Sequence, residues 1–140
     1  MANEIRVFNN SGMKFLPLKQ VKEIVNITLE HNKIKNASVN VIYVGDREIW
    51  ELNKSFLKHN RPTDVITFTL EESPIEGEIY LSIDTAAKQA SEYGVTIKDE
   101  ILRLACHGAL HLAGFDDSTD ELRKEMNDME TKFITMNKSK

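Results

Sequence analysis

Alternating apolar and polar positions divide the chain into short strands and longer helices. Glu4 to Phe8 alternates with a period of two and predicts a strand, closed by the turn residues Asn9-Asn10-Ser11-Gly12. From Leu18, the residues Val21, Ile24, Val25, Ile27 and Leu29 give an amphipathic helix ending near Asn32. Val39, Val41 and Tyr43, interleaved with Asn40 and Ile42, predict a second strand that stops at Gly45. Asp46 is placed as the N-cap of a helix carrying Ile49, Trp50, Leu52, Asn53 and Phe56. Pro62 keeps Asn60-Arg61-Pro62-Thr63-Asp64 out of a helix, and the β-branched run Val65 to Leu70 follows as a strand. An acidic turn around Glu76-Gly77 joins it to a strand from Glu78 to Ile83, close enough for a hairpin. Asp84 is expected to cap the next helix and Gly94 to close it. A helix follows from about Lys98 to Ala113, in which only Arg103, His107 and His111 are strongly polar between Ile101 and Ala113. Ser118 with Glu121 reads as a capping box for a last helix along Leu122, Met126, Met129 and Phe133, and the tail from Asn137 to Lys140 is expected to fray.

The order βαβαββααα describes an α+β fold, with one mixed sheet of about four strands packed by helices. A helix that is apolar nearly all round belongs at the centre of such a fold, so residues 98–113 are placed there. No repeat, low-complexity tract or linker interrupts the pattern, and residues 1–140 read as one domain.

Composition agrees with this picture. A chain of 140 residues, 41% hydrophobic and 29% charged, can bury a sizeable core and is not expected to be disordered. The N-terminus has no basic and apolar leader, and no run reaches the roughly 18 apolar residues of a membrane span. The single cysteine, Cys106, allows no internal disulfide and points to a reducing compartment, the cytosol. Net charge is −4, but residues 1–61 carry ten Lys/Arg against six Asp/Glu, and residues 62–140 carry eight against sixteen. Such acidity disfavours general nucleic-acid binding, because affinity for phosphates comes from lysine and arginine. The best local basic cluster is Lys54, Lys58, His59 and Arg61, which also reads as an ordinary solvated helix end.

The chemistry concentrates between residues 100 and 117. His107 and His111 stand one turn apart on one face of the central helix. A lone buried histidine is usually satisfied by backbone or a carboxylate. Two at this spacing are satisfied together by one shared cation. The metalloprotease spacing H-E-x-x-H-x-x-G-x-x-H is met by His107, His111, Gly114 and Asp117, with aspartate in the third ligand position. A glycine-terminated helix can swing that ligand back, and three protein ligands leave a fourth position open, as in catalytic zinc sites. Gly108 stands where the protease has its glutamate base, so a peptidase mechanism loses its proton acceptor. A metal without that base suits phosphoryl chemistry if a cation lies nearby. Asp116 is a competing ligand or a turn former, and Asp64 caps its loop or supports a ligating histidine. His59 is expected to be exposed and inert, and Cys106, about 100° round the helix from His107, to be core packing.

On these residues the chain resembles the YbeY family of metal-dependent endoribonucleases, the rRNA maturation factors. His107-Gly108-Ala109-Leu110-His111-Leu112-Ala113-Gly114-Phe115-Asp116-Asp117 is similar to the family's H-G-x-L-H-L-x-G-Y-D-H. Leu52-Asn53 followed by Pro62-Thr63-Asp64-Val65-Ile66-Thr67-Phe68 resembles its L-N…P-T-D-V-L-S-F. Gly77-Glu78-Ile79 resembles its G-D-I, and Met126 with Glu130 fits its final helix. The resemblance implies cleavage of single-stranded RNA in ribosomal RNA maturation and ribosome quality control. It implies one zinc or other divalent ion on His107, His111 and Asp117, and the ribosome or its small subunit as partner, with no membrane and no DNA. Two positions depart from the family. Asp117 replaces a histidine, which makes the site harder and less positive. In the family's L-N-x-x-Y-R, Phe56 takes the tyrosine position and Leu57 the arginine position, so Arg61 is the expected source of the missing cation. Two other readings stand beside this one. A ribosome-associated RNA-binding module with a structural metal requires a fourth protein ligand, and a metallopeptidase requires a base that Gly108 cannot supply.

Overall fold

The computed structural model describes residues 2–56 and 63–138. Its elements are β1 (Glu4–Asn9), α1 (Lys19–His31), β2 (Ser38–Val44), α2 (Asp46–Phe56), β3 (Val65–Glu72), β4 (Ile75–Ser82), α3 (Ile83–Tyr93), α4 (Ile97–Leu112) and α5 (Asp120–Lys138). The α+β order βαβαββααα is therefore as expected. The sheet runs β1-β2-β4-β3, with β1, β2 and β4 parallel and β3 antiparallel to β4.

Strand alternation gives each face of the sheet its own core. Val39, Val41 and Tyr43 of β2, with Ile79 and Leu81 of β4, point to the face covered by α1, α3, α4 and α5. Ile42 and Val44, with Ile66, Phe68 and Tyr80, point to the other face and pack with Ile49 and Leu52 of α2. Helix α4 lies at the centre: it touches α1, α3, α5, β3 and β4. Ten of its residues, from Glu100 to Leu112, are buried.

Five local expectations need correction. The hairpin turn is Ser73-Pro74, not Glu76-Gly77, which lies inside β4. Gly77 is required there by packing, because a Cβ would stand 2.5 Å from Leu112 Cδ2. Asp84 does not cap α3: Ser82 does, accepting from Thr85 N, while Asp84 accepts from Asp46 N. Nor does Asp46 cap α2. Gly45 precedes that helix, and its N–H is taken by Glu48. The carboxylate of Asp46 instead binds the hydroxyls of Ser82 and Thr85. Finally, Thr119 and not Ser118 caps α5, accepting from Leu122 N. That helix extends through Asn137, which is buried, to Lys138, so the expected fraying does not reach either residue; Ser139 and Lys140 lie outside the described residues.

Candidate metal centre

The last turn of α4 builds the site. Ala113 is followed by Gly114 at φ 100°, a left-handed position that an L side chain would strain. Gly114 N–H donates to His111 O and Phe115 N–H to Leu110 O, the paired bonds of a Schellman motif. Phe115 then packs against the core, and its carbonyl accepts Nδ1–H of His111 at 3.0 Å. The chain turns back far enough for Asp117 to face the two histidines, and Arg123 of α5 reaches the Asp117 carbonyl at 3.4 Å.

Glu130 of α5 orients the other ring. Its Oε2 lies 2.7 Å from Nδ1 of His107, while Oε1 takes Nη1 of Arg103 at 3.0 Å. The partner of each Nδ1 is an acceptor only, so both imidazoles carry their proton on Nδ1 when neutral. Both Nε2 atoms then present lone pairs, at a separation of 3.1 Å. Asp117 Oδ2 adds a third acceptor, 3.3 Å from His107 Nε2 and 3.8 Å from His111 Nε2. Three acceptors facing one point repel unless a cation or a proton stands among them. Ligands at ~2.0–2.1 Å in a tetrahedron lie about 3.3 Å apart, close to the spacing of these atoms. The site therefore fits a metal ion. Burial opposes a charge on His107, but the hydrogen bond and charge of Glu130, with Asp117 and Asp64, prevail and raise its pKa above the ordinary histidine value.

The remaining sequence candidates divide clearly. Asp116 is exposed and accepts from the Ser118 backbone and hydroxyl, a turn former whose pKa those hydrogen bonds lower. Cys106 is fully buried against Thr28 at 3.3 Å, and burial pushes its thiol up to about 12, so it is inert core. Asp64 accepts from Gln89 at 3.2 Å rather than from a histidine, but its charge reaches His107. Gly108 faces the sheet, where a Cβ would stand 2.7 Å from Ile79 Cγ2. Leu57, Lys58, His59 and Arg61 lie outside the described residues; of the basic cluster only Lys54 is within them, exposed near the end of α2.

Two groups were given no site role by sequence. Glu130 fitted the final helix, but nothing in its spacing announced a bond to His107. Glu100, one of two acids in the first turn of α4, is 4% exposed. Burial, offset in part by Arg103 and reinforced by Asp64 and Glu130, pushes its pKa up to about 7. Two clefts meet at Asp64 and His107. One, about 400 Å³, runs along β3 past His111 and Asp117. The other, about 760 Å³, lies between α3, α4 and α5.

The α+β frame brings two histidines and a carboxylate, from one helix and its following turn, into a cluster that could hold a metal ion. The family model described as Endoribonuclease YbeY matches residues 8–138. The chain belongs to that family. Endoribonuclease YbeY of Chlorobaculum parvum is 35% identical over 131 residues, covering 93% of this chain and 92% of its own. That of Thermotoga petrophila is 40% identical over 118 residues, covering 84% and 78%. A solution structure of a Thermotoga maritima protein matches with a TM-score of 0.66 at 35% identity, over 95% of this chain and 88% of the other.

Proposed function

We propose that this protein is a metal-dependent endoribonuclease that cuts single-stranded RNA during ribosomal RNA maturation. Zinc is held by His107, His111 and Asp117, and the work is done in the cytoplasm on the ribosome or its small subunit. The observation that carries this reading is the convergence of three acceptor atoms, the two imidazoles among them fixed from behind by Glu130 and the Phe115 carbonyl. Among the described residues no fourth histidine, cysteine or carboxylate joins the three, which favours a catalytic over a structural metal. The peptidase reading finds no base at Gly108, because that side of α4 is filled by Ile79.

When bound, the metal supplies a Lewis acid that polarises a phosphate oxygen. The rest falls to the chain. Glu130 and the Phe115 carbonyl hold the two imidazoles in their ligating tautomer. The cleft along β3, lined by Thr67 and Thr69 beside the three ligating groups, is where the RNA strand lies. Arg61 supplies the cation that offsets charge growing on the phosphate. It precedes Thr63 and Asp64 by two and three residues, and both of these line that cleft.

The test is cleavage of a single-stranded RNA and its duplex by zinc-loaded protein. The single strand is expected to be cut, and His111→Ala to abolish the cut. Arg61→Ala is expected to lower the rate about 100-fold, the usual cost of one charge-stabilising group. Undiminished cleavage by His111→Ala would overturn the metal role, and undiminished cleavage by Arg61→Ala that of the arginine.

A further inference from the structure

Glu100 is a buried carboxyl on the wall of a cleft. Only 4% of it is exposed, and the one opposing charge acting on it is Arg103, three residues on along α4. An acid in the first turn of a helix is stabilised by the helix dipole, but Asp99 beside it already serves there and is paired with Lys138. Burying a second acid is costly even beside Arg103, and a ligand that donates to its oxygens would offset that cost. Glu100 lines the 760 Å³ cleft, a volume within the range of small-molecule sites. The same cleft is lined by Tyr93, Asn127, Leu104 and Ile134, with Arg103 and Arg123 among its charged groups.

The cleft and the metal centre share His107 and Asp64. Glu100 is seven residues before His107 on α4, about 10.5 Å along the axis and on nearly the same face. One nucleotide bridges such a span between its phosphate and the far edge of its base. From this juxtaposition we infer that the cleft between α3, α4 and α5 is a subsite for the base flanking the cut phosphate, with Glu100 reading guanine.

Guanine is the base whose Watson–Crick edge offers two adjacent donors, N1–H and the N2 amino group, to the two oxygens of a carboxylate. Cytosine and adenine offer one amino group beside an acceptor, which a carboxylate repels. Tyr93, exposed at the end of α3, supplies a stacking face that is indifferent to base identity. The inference rests on the RNA-cleaving reading above for its purpose, but not for its test.

The direct test is binding of 5′-GMP, 5′-IMP and 5′-CMP to the full chain, followed by NMR shifts. IMP lacks the N2 amino group. GMP is expected to bind roughly tenfold tighter than IMP or CMP, and Glu100→Gln to erase that ratio. Tyr93→Ala is expected to weaken all three alike, and as an exposed position it leaves the fold intact if Glu100→Gln does not. Equal affinity for the three nucleotides, or a ratio unchanged in Glu100→Gln, would overturn the subsite. In a cleavage assay on mixed-sequence RNA, wild type is expected to cut beside guanosine, with substituted inosine slowing the cut roughly tenfold. Cleavage that ignores this exchange would overturn the subsite and leave the nuclease reading standing. An absence of any cleavage would overturn the nuclease reading, while the nucleotide titration still decides the subsite.

Discussion

Glu130 is 2% exposed and binds two cationic or proton-donating groups at once, Arg103 at 3.0 Å and His107 at 2.7 Å. A carboxylate behind a metal-binding histidine fixes its ring and raises its basicity. Glu130→Gln keeps the volume and loses the charge, and is expected to weaken zinc binding by 10–100-fold. Competition against a chromogenic chelator measures this, and an unchanged affinity would remove Glu130 from the site. Glu100 makes a second prediction at this scale. Its folded pKa of about 7 lies above the ordinary 4.5, so the folded state holds the proton more tightly than the unfolded chain. The stabilisation this brings is complete below about pH 4.5 and is lost as pH rises through 7. Wild type should therefore lose stability between pH 5 and pH 8 relative to Glu100→Gln, by on the order of 1–3 kcal/mol. Urea unfolding of both proteins at the two pH values shows this as a gap that opens at pH 8; parallel curves would contradict a buried carboxyl.

Helix α4 can occupy the centre of the fold because one of its sides is bare. Gly108 lies against Ile79 of β4 so closely that an added methyl would sit 2.7 Å from Cγ2, with two further Ile79 carbons at 3.1 and 3.2 Å. Gly108→Ala is therefore expected to cost about 1–3 kcal/mol, despite alanine's better helix propensity, because the side chain must push helix and sheet apart. A denaturant midpoint at or above wild type would show that Ile79 can give way. What sequence revealed of such elements follows from the range of the forces involved. The helix itself was legible from apolar residues all round it, and the cluster that could hold a metal from the spacing His107, His111, Gly114 and Asp117, because both are local patterns. Caps were misplaced by one or two residues, at Asp46, Asp84 and Ser118, since several adjacent polar side chains compete for the same backbone donors. Gly77 suggested a turn because sequence cannot distinguish a glycine needed for a bend from one needed for contact with Leu112, 35 residues away. Glu130 and Glu100 were silent for the same reason: their meaning lies in what α5 and α3 bring beside α4.

Across the whole molecule, the candidate metal site adds to the packing and to the Arg103–Glu130 and Asp99–Lys138 ion pairs that already tie α4 to α5. His107 and His111 belong to α4, Asp117 to the segment leading into α5, and Glu130 to α5 itself. An ion bound to the folded arrangement and not to the unfolded chain stabilises all of these contacts together, by about 2.7 kcal/mol at a hundredfold excess over Kd. For a chain of this length that is expected to raise Tm by roughly 5–10 °C. The effect depends on pH in a definite direction. The His107 pKa is raised, so without metal its proton contributes stability that is present at acid pH and lost as pH climbs through the folded value. That same proton occupies the ligand position, and zinc must displace it. The metal-induced rise in Tm should therefore be small at pH 5.5 and full at pH 8, while His111→Ala, lacking one ligand, shows little rise at either. Thermal unfolding with and without zinc at the two pH values measures this directly. An equal rise in wild type and His111→Ala would mean that zinc binds elsewhere, and no rise at pH 8 would mean that the three converging acceptors await only a proton.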